Sequence, residues 1–142
     1  MLSSISRSFT TSWCKPKNID LTKLIDKNQV FKDTQQVSIL MTTNRSNLPG
    51  NDILSTPSMI AAMDSFTSSL ISNVLPNKYF PVVNKIQVFH KAPLRNGEKF
   101  FLEATISEYA PTSATFVVKG LNPSNNKVFG EAKIHIELVQ KN

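Results

Sequence analysis

One carboxylate stands alone in the middle of the chain. Asp64 is the only charged residue between Asp52 and Lys78, and it falls within the run LSTPSMIAAMDSFTSSLISNVL, residues 54–75. A carboxylate can act as a general base or as a nucleophile. At helical spacing Asp64 lies at the edge of an apolar stripe, roughly 90° from its centre. A lone carboxylate beside a buried helix face points to a functional site, and the alternative is a solvated helix residue.

Few other side chains in the sequence could do chemistry. His90 ends a strand-like run beside a turn. It is either an imidazole that moves a proton near neutral pH or an ordinary strand residue. His135 falls on the polar face of the last predicted strand, which favours a surface position. The single cysteine, Cys14, excludes an internal disulfide and argues against a structural zinc site.

The run around Asp64 is the best helix in the sequence. Ser55 or Thr56 can cap it, and Pro57 suits its first turn because the missing N–H costs nothing there. Pro76 cannot continue the helix and so ends it. The residues that recur at helical spacing and form the apolar stripe are Met59, Ile60, Met63, Phe66, Thr67, Leu70, Ile71 and Val74.

Strand-like runs surround this helix. Residues 30–43 precede it, and four further runs with tight turns follow it. Val82, Ile86, Val88 and His90 are predicted to share one face of the first of these. A meander of antiparallel strands needs a cover for its apolar face, and one long amphipathic helix is available. The sequence therefore predicts an α+β protein in which a curved antiparallel five-stranded sheet wraps around one central helix. The four later runs are VVNKIQVFH, FFLEATISEY, TSATFVVKGL and VFGEAKIHIELV.

The bulk composition limits the class of protein. A chain of 142 residues with 40% hydrophobic residues fits one globular domain. No apolar run approaches the roughly 20 residues of a membrane span. The net charge of +6 is scattered along the chain, which reports on solubility or on a polyanionic ligand. Nucleic-acid binding is disfavoured because no basic stripe is interleaved with aromatic residues.

The first 15 residues have a composition of their own. MLSSISRSFTTSWCK contains no acidic residue, is rich in Ser and Thr, and carries Arg7 among apolar positions. This is typical of a mitochondrial transit peptide, and the alternative is a disordered tail. We therefore expect a transit peptide or tail at 1–15, a lead-in segment at 16–29 that is a short helix or irregular, and one domain at 30–142. The expected location is the mitochondrial matrix.

The element order resembles the hotdog fold, and the local sequence resembles one group within it. STPSMIAAMD, followed by VFHKAPLRNGEKFFLEATISE, is similar to small acyl-CoA thioesterases related to fluoroacetyl-CoA thioesterase. Those proteins carry a Thr at the helix start, a carboxylate eight residues on, and a strand His 26 residues after that. Thr56, Asp64 and His90 stand at these spacings. The chain departs from the group by having Asp rather than Glu at residue 64 and no glycine in YFPVVNK, so the substrate is not carried over.

The resemblance implies an acyl-CoA thioesterase with Thr56, Asp64 and His90 as catalytic residues in one pocket. That pocket could lie within one chain or across a dimer interface. Asp64 would act on water or the carbonyl, and His90 would polarise the carbonyl or move a proton. The helix start would stabilise the oxyanion. Thr56 is otherwise explained as a helix cap. The residues expected to bind substrate are Pro57, Ser58, Lys91 and Arg95, and no cofactor or metal is implied.

Two other functions compete with hydrolysis. A hotdog dehydratase or hydratase carries an Asp-x-Asn-Pro-x-His pattern, which neither histidine satisfies. A non-catalytic hotdog subunit would bind acyl-CoA or act as a scaffold in a mitochondrial assembly. In each case open sheet edges are normally paired or blocked. We therefore expect a homodimer or a dimer of dimers.

Overall fold

The computed structural model describes residues 13–141. Most of the predicted transit peptide, residues 1–12, lies outside the described residues, as does residue 142. No helix within residues 13–141 is long and apolar enough to cross a membrane. In chain order the elements are β1 (Trp13–Cys14), a 3-10 helix (Leu21–Lys23), β2 (Phe31–Gln36), a 3-10 helix (Ile39–Met41), β3 (Thr42–Thr43), β4 (Ile53–Leu54), α1 (Thr56–Ser72), β5 (Tyr79–His90), β6 (Lys99–Ala110), β7 (Ser113–Asn122) and β8 (Lys127–Lys141).

Five long strands form one antiparallel sheet in the order β5-β8-β7-β6-β2. The two residues of β1 extend it by pairing with Gln140 and Lys141 at the end of β8. A separate two-stranded ladder joins β3 to β4 just before the helix. Helix α1 packs on the sheet over β5 and β8. The predicted hotdog arrangement of one helix and a five-stranded sheet is confirmed.

The helix begins and ends close to where the sequence places it. Ser55 is the N-cap, and its side chain accepts a hydrogen bond from the N–H of Ser58. The predicted span of 54–75 shortens to Thr56–Ser72. Thr67 is the buried polar residue of the stripe, and its hydroxyl donates to the Met63 carbonyl at 3.1 Å. The residues that α1 buries are Met59, Met63, Phe66, Thr67 and Ile71.

The strand predicted over residues 30–43 is too long at its C-terminal end. β2 stops at Gln36, where the chain leaves β6 and turns through the 3-10 helix toward β3. Ile39 and Leu40 are 54% and 93% exposed. The alternation of apolar and polar residues in this segment therefore does not follow burial. The segment is instead part of the connection that leads from β2 to the helix start.

One face assignment in β5 is wrong because of a β-bulge. The register with β8 shifts between Val83 and Lys85, so the alternation of side chains changes there. Val83 packs on the core with Ile86 and Val88, whereas Val82 is 45% exposed. In β6 and β8, alternate residues are buried, and His135 lies on the polar face of β8 as predicted. Their buried residues are Phe100, Leu102, Ala104, Ile106, Ala132, Ile134, Ile136 and Leu138.

The lead-in segment contributes to the core. Asp20 caps its 3-10 helix by accepting from the N–H of Thr22. Leu21 is fully buried, and its backbone N–H donates to the Pro111 carbonyl at 2.8 Å. Ile25 is also buried in the same cluster. The segment before β2 is therefore held to the β6–β7 turn by packing and by a backbone hydrogen bond.

Candidate active site

The first residue of α1 and the last residue of β5 are in contact. Thr56 Oγ1 lies 2.8 Å from His90 Nδ1, a hydrogen-bond distance. The two residues are 34 positions apart in sequence. The fold thus brings together two of the three side chains that the sequence suggested as catalytic.

A glycine lets the helix start come close to the end of β5. His90 pairs with Gly130 of β8, and a Cβ built on Gly130 would lie 2.4 Å from the sulfur of Met59. Because that Cβ is missing, Met59 packs directly on the strand. Met59 belongs to the apolar stripe predicted for the helix, but no role was predicted for Gly130, although a glycine inside a strand pattern signals a close approach of this kind.

Backbone hydrogen bonds fix the segments around the pair. The N–H of Leu54 donates to the Leu94 carbonyl at 2.7 Å, which ties β4 to the connection after β5. The N–H groups of Lys91 and Ala92 both donate to the Phe129 carbonyl. Backbone hydrogen bonds therefore help to hold the helix start and the strand end in place, together with the Thr56–His90 hydrogen bond.

The His90 ring has one unsatisfied nitrogen. Its Nε2 is buried and has no hydrogen-bond partner among the described residues. Burial lowers the pKa of His90, and the nearby backbone of Ala92 partly offsets this. The neutral ring is therefore favoured more than in a solvated histidine. A buried nitrogen without a hydrogen-bond partner costs roughly 1–3 kcal/mol.

The helix start supplies one available backbone donor. Pro57 has no N–H, and the N–H of Ser58 is used by the Ser55 side chain at 3.2 Å. No hydrogen bond among the described residues uses the N–H of Thr56. Several N–H groups were expected to be available to a substrate at the helix start. The Thr56 N–H is the one that stays available, and it lies at the positive end of the helix dipole.

Asp64 does not touch the Thr56–His90 pair within one chain. Its carboxylate accepts a 3.0 Å hydrogen bond from the Ser68 hydroxyl, one turn further along α1. The eight-residue offset from Thr56 corresponds to about 12 Å along the helix axis at 1.5 Å per residue. Asp64 is half-buried, so it remains accessible from outside the chain.

The four residues expected to bind substrate lie around the pair but are not all available. Pro57 is exposed beside Thr56, and the Ser58 hydroxyl is bonded to that of Ser55 at 2.9 Å. Lys91 follows His90 and forms a 3.1 Å ion pair with Glu131 on β8. Arg95 is exposed and bridges to Ile53 of β4, next to the helix start. Among residues 13–141, Arg95 forms no ion pair, whereas Lys91 does.

Taken together, the geometry offers a proton acceptor, a hydroxyl that orients it and a dipolar donor at one point. A neutral imidazole with a buried free nitrogen can accept a proton from water. A helix N–H can stabilise a developing oxyanion. These are the requirements for hydrolysis of an acyl derivative with a good leaving group.

Comparison with known proteins places the chain in a thioesterase family. Residues 37–141 match the family model described as FlK, fluoroacetyl-CoA-specific thioesterase. No curated protein matches the chain. The solved structures described next are at most 19% identical to the chain. At that identity, they show its fold alone.

A hot-dog-like protein from Thermanaerovibrio acidaminovorans is 19% identical, with a TM-score of 0.75 over 86% of this chain and 89% of that chain. A thioesterase superfamily member from Thermus thermophilus is 14% identical, with a TM-score of 0.70 over 82% and 85%. The fluoroacetyl-CoA thioesterase FlK is 13% identical, with a TM-score of 0.69 over 80% and 87%. One structure of an FlK variant contains fluoroacetate and CoA.

Proposed function

Because the chain belongs to the FlK family of fluoroacetyl-CoA-specific thioesterases, we propose that it hydrolyses an acyl-CoA thioester to a free acid and CoA. The observation that carries the proposal is the hydrogen bond of 2.8 Å between Thr56 and His90, with the second ring nitrogen buried and unpartnered. Thioester hydrolysis needs a proton acceptor for water and a donor for the oxyanion. Both lie at the start of α1.

The proposed reaction uses the His90 ring twice. Nδ1–H donates to the Thr56 hydroxyl, which leaves the lone pair of Nε2 to take a proton from the attacking water. The hydroxide adds to the thioester carbon, and the Thr56 N–H stabilises the oxyanion. The C–S bond then breaks, and Nε2–H returns its proton to the thiolate. Water and thioester become acid and thiol, with the ring restored.

Asp64 enters this scheme from a second subunit. Within one chain its carboxylate bonds to Ser68 and lies about 12 Å along the helix from Thr56. We propose a homodimer in which Asp64 of one chain faces the Thr56–His90 pair of the other. There it would orient the attacking water or act as the base in place of His90.

The sheet edge beside His90 supports this assembly. β5 is 12 residues long, and its paired neighbour among the described strands is β8, on one side. Long edge strands are normally covered. We expect sedimentation equilibrium at micromolar concentration to give a dimer or a dimer of dimers. A purely monomeric mass under those conditions would contradict the shared site.

A panel of acyl-CoA substrates tests the activity. Release of free thiol should occur with at least one acyl group from the short to long range. Because burial lowers the pKa of His90, kcat/KM should stay high to a lower pH than for a solvated imidazole and fall as the ring is protonated. Binding of acyl-CoA without thiol release from any member would favour the non-catalytic subunit instead.

A further inference from the structure

The face of the sheet opposite α1 holds a second histidine in a fixed position. Nδ1 of His135 lies 2.7 Å from Oγ1 of Thr115, and Nε2 lies 3.7 Å from Oε1 of Glu137. Thr115 is only 5% exposed although it lies on the outer face of β7. His135 is therefore oriented by the Thr115 hydroxyl, and its Nε2 lies within ion-pair distance of Glu137 when the ring is charged.

Two β-bulges converge on this histidine. The register of β5 shifts between Val83 and Lys85, and that of β6 shifts between Ile106 and Glu108. In each strand the residue after the bulge enters the row of His135. The row runs across four strands as Glu108, Thr115, His135 and Lys85. Bulges are over-represented beside functional sites because they redirect a side chain.

The row borders a cavity of about 200 Å³. Its lining is Lys85, Gln87, Glu108, Thr115, Lys133 and His135. The positive charge of Lys85 and the negative charge of Glu108 lie at opposite ends of the row, because β5 and β6 are three strand spacings, or about 14 Å, apart. Lys85 and Lys133 lie at the β5–β8 end and form no ion pair among the described residues, whereas Lys91, just after the end of β5, is paired with Glu131.

We propose that the β5–β8 end of this cavity binds a small dianionic oxyanion, a phosphoryl or sulfate group, between Lys85, Lys133 and His135. Two ammonium groups supply the charge, a charged imidazole ring adds to it, and the Gln87 amide adds a directed donor. Thr115 accepts from Nδ1–H when the ring is charged, which keeps the ring oriented. The volume suits one tetrahedral anion and excludes a long acyl chain. The site is independent of His90, which lies on the helix side of the sheet.

The charged side chains around His135 determine how strongly this row attracts an anion. The charged groups that face the ring are Lys85 on β5, Glu108 on β6, and Lys133 and Glu137 on β8; β7 contributes the uncharged Thr115. With a neutral ring these four charges cancel. A positive ring gives the cluster a net charge of +1. A charged ring therefore leaves one net positive charge to attract a sulfate dianion.

Nuclear magnetic resonance can follow this site directly because the chain has two histidines. We expect sulfate, added at constant ionic strength against chloride, to move the ring signals of His135 in a saturable way and leave those of His90 in place. The Lys85→Gln and Lys133→Gln variants should each weaken binding by about fivefold. The matched variant Lys127→Gln, at the exposed start of β8, should bind as the unmodified protein does.

The source of the group is decided by two further titrations. Saturation by adenosine 3′,5′-bisphosphate at a tenfold or more lower concentration than inorganic phosphate would assign the site to a nucleotide phosphate. Equal concentrations would assign it to the free anion, and both results support the site. An absent or non-saturable shift of the His135 signals would overturn the proposal. So would equal binding by the two lysine variants and the Lys127→Gln control.

Discussion

Replacement of His90 by glutamine is expected to lower the rate of acyl-CoA hydrolysis by about 10²–10⁴-fold, the contribution of a positioned acid–base group. Glutamine can still bond to the Thr56 hydroxyl, which lies 2.8 Å from His90 Nδ1. It cannot take up or return a proton. The loss should therefore appear in kcat, measured as thiol release under saturating acyl-CoA, more than in KM.

Two measurements separate loss of chemistry from loss of fold. The thermal unfolding midpoint of His90→Gln should stay near that of the unmodified protein, because Nε2 has no partner to lose. The residual rate should also no longer fall as the pH is lowered through the range in which His90 titrates. Full activity in the variant would show that the ring is only a strand residue bonded to the helix cap.

The second large effect is expected at Asp64. Asp64→Asn keeps the shape and can still accept from the Ser68 hydroxyl, which donates to the carboxylate at 3.0 Å. If the carboxylate orients or deprotonates water, kcat should fall by about 10²–10⁴-fold with little change in stability. The matched control is Asp33→Asn on β2, a half-buried carboxylate bonded to the Gln35 amide, which should retain full activity. Unchanged turnover in Asp64→Asn would assign this carboxylate to the helix surface.

Mixing the two inactive variants decides where Asp64 acts. In a dimer of one His90→Gln chain and one Asp64→Asn chain, a site built from both subunits is intact once per dimer. Activity should then return when the separately inactive proteins are mixed and allowed to exchange subunits. If both residues acted within one chain, every site in the mixed dimer would lack one of them. No activity would return, and the shared site would be refuted.

Much of the architecture could be predicted because periodicity reports burial. The stripe of α1 and the alternation in β6 and β8 each match one buried face. The cap at Ser55 follows from local chemistry that needs no tertiary information. The alternation of apolar and polar residues around Ile39 and Leu40 does not reflect burial, so the strand predicted there was wrong. A bulge is likewise invisible to a period-two pattern, which is why Val82 was assigned to the wrong face.

The site was predictable in part, but from a resemblance in spacing and not from periodicity. Thr56 and His90 lie at ends of elements, and the spacing resemblance suggested that they meet. Beside the contact, Gly130 leaves room for the Met59 side chain, and a backbone hydrogen bond joins β4 to the connection after β5. Those are long-range features with no period in sequence. The position of Asp64 follows from helix geometry alone and needs a second subunit to become part of the site.

The strand order also affects synthesis of the protein. β8 lies between β5 and β7, and it is the last of these three strands in chain order. Helix α1 and β5 are therefore translated before the strand that pairs with β5 and covers much of the helix stripe. During that interval Met59, Met63 and Ile71, all buried in the finished fold, face solvent on the growing chain. Exposed apolar surface of this kind favours aggregation, so the nascent chain is a natural client for chaperones until β8 has emerged.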